Sequence, residues 1–145
     1  MIMKTKVSKP LDSIFARATF DLLKSDIRHS YKDHLAAELL RNDTTMAYNI
    51  LSLLLHRNEI SWMTTHIMFQ AERNPCAERL PIDMYLLGYR KYLQEKFAPY
   101  GNLSTIHLLL DICGDTESAT SRTFARFGIS HNSIEKVLSG ISNNR

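Results

Sequence analysis

Residues 31–40 read YKDHLAAELL, and 73 positions later residues 104–113 read STIHLLLDIC. His107 answers His34, Leu108 answers Leu35, Asp111 answers Glu38 and Ile112 answers Leu39. The register continues, with Ile50, Leu51 and Leu54 meeting Thr123, Phe124 and Phe127. Upstream, PLDSIFARATFDLL (10–23) matches PIDMYLLGYRKYLQ (81–94) at an offset of 71. Downstream, EIS (59–61) matches GIS (128–130) at an offset of 69. Changes of offset this small fall where a loop or a helix extension absorbs them. Repetition on this scale means one supersecondary unit used twice.

Each unit reads as helices. Residues 10–25 place Ile14, Ala18 and Leu22 on a 3.6-residue stripe. Ser30 suits an N-cap, and Leu35, Leu39 and Leu40 form the buried face of the short helix that follows. Asp43 or Thr44 caps a third helix that buries Ala47, Ile50, Leu51 and Leu54. Ser61 caps a fourth that runs to about residue 72. The segment RNPCAERLP (73–81) has two prolines and closes the unit. The second unit is expected over about 81–98, 104–113, 117–127 and 130–139. In it, Gly114 and Gly128 stand where helix C-termini take a left-handed residue. Ser130 caps the last helix, and the polar tail SGISNNR frays.

The expectation is a single all-α domain over 1–145, with about eight helices in two tandem four-helix repeats (about 10–72 and 81–140). Each half is too small to bury a core alone, so the halves pack through their apolar faces with pseudo-two-fold symmetry. With 5 Gly and 4 Pro, the chain is poor in the turns an all-β sandwich needs. The net charge of +3 is too mild to imply nucleic acid by itself. The 2 cysteines, Cys76 and Cys113, form no metal spacing and are too few for a disulfide scaffold. Their use reads as reduced thiols in a cytoplasmic setting. No apolar run reaches membrane-span length, and MIMKTKVSKPLDS lacks a signal-peptide core, so no membrane partner is expected.

The stretch TIHLLLDICGDTESATSRTFARFGIS (105–130) resembles the N-terminal domain of the Clp family of AAA+ unfoldases. Thr105, His107, Leu108, Leu109, Phe124, Gly128 and Ile129 fit that family's run of Thr-Glu-His-Leu-Leu-Leu, acidic or glycine-rich turn, Ala-rich helix, Leu, Gly and apolar residue. KDHLAAELLRNDTTMAYNIL (32–51) fits the same pattern in the first copy. On this resemblance His34, Leu35, His107, Leu108 and Gly128 are structural signatures of the repeat. The resemblance implies a non-catalytic docking module that binds an adaptor, a substrate, a Clp-type ATPase or a helix of a contractile sheath, in protein quality control or secretion. No G-x-x-x-x-G-K-[ST] phosphate loop accompanies it among the five glycines, and no cofactor is implied. In one branch of the family, acids before the two histidines resemble a phosphoarginine site, where a carboxylate holds the guanidinium. Asp33 could do this and Ile106 could not, so two equivalent sites are not expected.

The candidate protein-binding residues are Asp33, Trp62, Met63, Tyr85 and Tyr89. Tyr85, Tyr89 and Tyr92 fall at i, i+4 and i+7. Such a stripe is most often core, here between the repeats, though half-wet tyrosines also suit an interface. Trp62, Met63, Ile67, Met68 and Phe69 give the fourth helix an apolar, Met-containing surface that suits either a core or a helix-in-groove site. A His–acid dyad (His34 with Glu38, or His107 with Asp111) and Cys113 as nucleophile form a weaker, hydrolytic reading. Recurrence of the histidine in both repeats tracks fold rather than one active site. His29, His56, His66 and His131 show no metal-ligand spacing. A helical nucleic-acid-binding regulator is the main alternative, resting on KTKVSK (4–9) and RKYLQEK (90–96); Asp111, Asp115 and Glu117 argue against it.

Overall fold

The computed structural model describes residues 6–24, 31–73, 82–97, 102–115 and 118–143. Among them lie eight helices and no strand. They are α1 (Lys9–Lys24), α2 (Tyr31–Arg41), α3 (Met46–Leu54), α4 (Arg57–Arg73), α5 (Ile82–Lys96), α6 (Thr105–Gly114), α7 (Ala119–Arg126) and α8 (His131–Asn143). The chain is thus all-α, as the sequence predicts. None of these helices is long and apolar enough to cross a membrane. Ser30, Cys76, His29 and Glu117 lie outside the described residues, as does the side chain of Leu22.

The repeated leucines do what their spacing requires. Leu35 and Leu39 of α2 and Leu108 and Ile112 of α6 are buried in one continuous core with Leu11, Ile14, Leu51, Ile67 and Phe124. α2 packs against α1 and α4, α4 against α7, and α1 against α5. Ahead of the first helix, Val7 makes an isolated parallel bridge with Leu103, just ahead of α6. There the Leu103 N–H donates to the Lys6 carbonyl at 2.7 Å and the Ser8 N–H to the Leu103 carbonyl at 2.8 Å.

Several helix ends differ from expectation. Thr45, rather than Asp43 or Thr44, caps α3, accepting the Tyr48 N–H at 3.1 Å. Asn42 shapes that turn by accepting both the N–H and the hydroxyl of Thr44. α4 begins at Arg57, so Ser61 sits inside it; Glu59 reaches back to accept the His56 N–H at 2.9 Å, the return bond of a capping box. Gly128 is left-handed as expected, with φ +74°, whereas Gly114 is the last residue of α6 with no positive φ. Leu55, which stands where the repeat would place Gly128, ends α3 in extended backbone. Ser130 caps α8 through the Ser133 N–H, and α8 then runs on to Asn143 through most of the polar tail expected to fray.

The two halves of the chain also cap each other. Asp33 on α2 accepts both the backbone N–H of Thr120 at 3.1 Å and its hydroxyl at 2.6 Å, at the second residue of α7. Thr105, at the start of α6, accepts the N–H of Ala47 at 3.2 Å, at the second residue of α3. Ala47 and Thr120 are themselves 73 positions apart. All four residues are buried. Helix-starting N–H groups have no partner within their own helix, and buried ones are costly to leave unmet. Asp33→Ala is expected to destabilise the protein by about 2–3 kcal/mol and Thr105→Val by about 1 kcal/mol, read from denaturant midpoints. Equal and negligible losses would show that these caps do not hold the halves together.

Candidate functional site

α5 presents two apolar faces. One, formed by Leu86, Tyr89 and Leu93 and continued by Phe97 just past the helix end, is buried. The other leaves Met84 62% and Leu87 55% exposed. The inward stripe is therefore shifted from the expected Tyr85–Tyr89–Tyr92: of those three only Tyr89 is buried, Tyr85 is half-buried and Tyr92 is 48% exposed. Tyr89 is drawn in because its hydroxyl has an internal partner. It donates to the buried carboxylate of Asp111 on α6, and its ring lies 6.3 Å from that of Phe15 on α1. Lys96 donates to the same carboxylate at 2.7 Å. Burial alone would lower the Lys96 pKa, but the hydrogen bond and charge of Asp111 outweigh it and hold the ammonium above its ordinary value.

Where α1 and α5 run together, Phe15, Ala16, Thr19, Leu86 and Leu87 line a groove of about 500 Å³. Asp12 and Arg90 close one part of it with an ion pair at 2.7 Å. Phe20, one turn beyond Ala16 on α1, is 58% exposed. Met84 lies one turn before Leu87 on α5. Helical spacing puts Phe20 beside Ala16 and Met84 beside Leu87, and large contiguous apolar patches mark contact surfaces. A smaller hollow of about 320 Å³ between α2, α3 and α4 is bordered by Arg41, Asp43 and Arg57. There, Arg57 is already paired with Asp43 at 3.1 Å. A third hollow, of about 480 Å³, lies over Phe97, Ile106, His107, Leu110 and Leu138.

The predicted binding residues are not gathered in one place. Asp33, Met63 and Tyr89 are buried and offer no docking surface, which corrects their assignment as contact residues. Asp33 Oδ1 takes both bonds from Thr120, so this carboxylate serves the fold. Met63 is interior because α4 turns Ile60, Met63 and Ile67 inward together. Trp62 is 48% exposed, stacked on His66 with ring centroids 4.7 Å apart and leaning on Phe127 at 5.5 Å. Tyr85 is half-buried on α5. Phe15, Ala16, Leu86 and Leu87 went unmarked in the sequence. Their signal was there: Phe20, Met84 and Leu87 are large apolar residues off the buried stripe.

The two signature histidines do different work. His107 is at the third position of α6 and its Nδ1 accepts the Ser104 N–H at 2.9 Å. His34 has Nε2 3.6 Å from Asp21 Oδ2 and 3.8 Å from Glu38 Oε1. Asp111, the acid weighed as a dyad partner for His107, accepts hydrogen bonds from Tyr89 and Lys96. Burial pushes the Cys113 thiol up to about 12, so it is protonated at neutral pH and a poor nucleophile. A scan against protein-family models found no match to this chain, and a search of curated proteins found no significant relative.

Burial also lowers the His107 pKa below its usual 6.5, and an accepting Nδ1 requires the neutral ring. The unfolded state therefore binds the proton more tightly than the folded state. The contribution of His107 is fully present above about pH 6.5 and is lost as pH falls toward the lowered folded value. Glu38 works the other way, because burial, and then Asp21, raise its pKa above 4.5. Its effect is to make the protein gain stability as pH falls toward 4.5 through that raised value. His107→Gln keeps the capping acceptor without the titration. It should flatten the stability loss between pH 7 and about pH 5 in denaturant titrations. An unchanged slope would show that His107 is not its source.

Proposed function

We propose that this chain is a non-catalytic protein-binding module that seats an amphipathic helix in the groove between α1 and α5. The observation that carries the reading is that groove, floored by Phe15, Ala16 and Leu86 and extended by exposed Leu87 and Met84. Helix-in-groove recognition needs such a track, with anchors spaced at i, i+3 or i+4, and i+7. Burying one Leu- or Met-sized anchor stabilises a complex by about 1.5–3 kcal/mol. The Asp12–Arg90 pair at the groove supplies polar groups that fix the orientation of the guest.

The reading extends to the kind of module. The His-Leu pair that recurs at 34–35 and 107–108, the all-helical fold of the described residues and the absence of a phosphate loop support a Clp N-terminal type of domain, built as two copies of one four-helix unit. Its guests are then an adaptor, a substrate segment, a Clp-type ATPase or a sheath helix, within protein quality control or a secretion machine in the cytoplasm. Two of the basic residues behind the nucleic-acid alternative are committed internally, Arg90 to Asp12 and Lys96 to Asp111, which favours a protein guest.

The test is a fluorescence-anisotropy screen of labelled amphipathic helical peptides and single-stranded oligonucleotides at two salt concentrations. Peptide binding that Leu87→Glu weakens by about 10-fold or more, equivalent to about 1.4 kcal/mol, at unchanged melting temperature is expected. Binding of oligonucleotides alone, falling steeply with salt, or peptide binding indifferent to Leu87→Glu would overturn the reading.

A further inference from the structure

The seam between α1 and α2 gathers three metal-ligating side chains that the docking groove does not use. His34 and Glu38 project from one face of α2 at i and i+4, and Asp21 reaches them from α1. One ligand atom from each lies within 4.8 Å of the other two. His34 and Glu38 are 7% exposed in their side chains and Asp21 is 44% exposed, so the group is walled by protein on two members and open at the third.

We propose that Asp21, His34 and Glu38 form a binding site for a divalent transition-metal ion, with zinc the best match. An imidazole with two carboxylates is a donor set that zinc accepts. With metal–ligand bonds of about 2.0–2.2 Å, the edges of a tetrahedral site are about 3.3–3.6 Å. The Nε2–Oδ2 and Nε2–Oε1 separations are 3.6 and 3.8 Å, so the ligands close on an ion by small side-chain movements. Three protein ligands leave one position for water or for a group on a partner, the pattern of an open site.

The neighbouring cation does not bar the site. Arg41 Nη1 is 3.5 Å from Glu38 Oε1, but its side chain is 51% exposed and swings to water at little cost. It acts as a competitor that a metal ion displaces. The ligands must also be deprotonated, so affinity weakens as the pH is lowered. The site is independent of the docking groove and stands or falls separately from it.

The full chain, stripped with chelator, is titrated with Co²⁺ and followed by visible absorption, with zinc added in competition. Saturable binding of one equivalent, displaced by zinc and weakened about 10-fold or more by Asp21→Asn, is expected. Because Asp21 is partly exposed, this variant keeps the core intact, which its melting temperature without metal checks. Zinc should raise the melting temperature of the natural chain and leave that of Asp21→Asn nearly unmoved. No saturable cobalt binding would overturn the assignment, as would binding that Asp21→Asn leaves unchanged, which would place the metal on other histidines or cysteines.

Discussion

Two buried helix starts cannot be completed by the half of the chain to which they belong. α3 and α7 each have a local hydroxyl cap, Thr45 and Ser118, which accepts the N–H of the third helical residue. The N–H of the second residue remains, and in both helices it is answered from the opposite half. Thr105 supplies an oxygen to Ala47, and Asp33 supplies one to Thr120. A half on its own would expose its apolar face and also strand a donor that the other half normally satisfies. Lys32 adds an exchange of the same sense, donating to Asp115 just past α6 at 3.1 Å. These contacts explain how a chain of 145 residues with short central helices becomes a single frame.

The frame gives the groove its shape. With α2, α3, α6 and α7 locked through their starts, α1 and α5 lie side by side at the join of the halves. There they share the Phe15–Tyr89 contact and the Asp12–Arg90 pair. Tyr89 is held from below by Asp111, which turns the next face of α5, with Met84 and Leu87, outward. The groove is therefore a consequence of how α5 satisfies one buried tyrosine hydroxyl as much as of its own apolar residues.

Much of this was legible in the residues. The 73-residue offset located α2 and α6, α3 and α7, and of the leucines it marked Leu35, Leu39, Leu51 and Leu108 are core, whereas Leu54, expected to be buried at the end of α3, is exposed. Local patterns failed where a choice depended on a distant partner. Ser61 has the chemistry of an N-cap, yet Glu59 starts α4 a turn earlier. Tyr85, Tyr89 and Tyr92 have helical spacing, yet Asp111 selects Tyr89 and so rotates the stripe toward Leu86 and Leu93. Asp33 reads as a surface acid at a helix start, but its role is set by Thr120, 87 positions away. Equivalent histidines invite equivalent roles, but His107 caps a helix whereas His34 faces Asp21 across a helix contact. Sequence spacing carries the periodicity of one helix; which face is bought by the core is decided between helices.

The most direct measurement is native-state hydrogen exchange at the backbone amides of Ala47 and Thr120. Amides at the second position of a helix ordinarily exchange quickly, because no carbonyl of their own helix protects them. The cross-capped frame predicts that both are strongly protected and exchange only through the global unfolding that also releases the leucine amides of α2 and α6. Fast exchange at either amide, with those leucine amides still protected, would contradict the account and show that the halves are not held together through these helix starts.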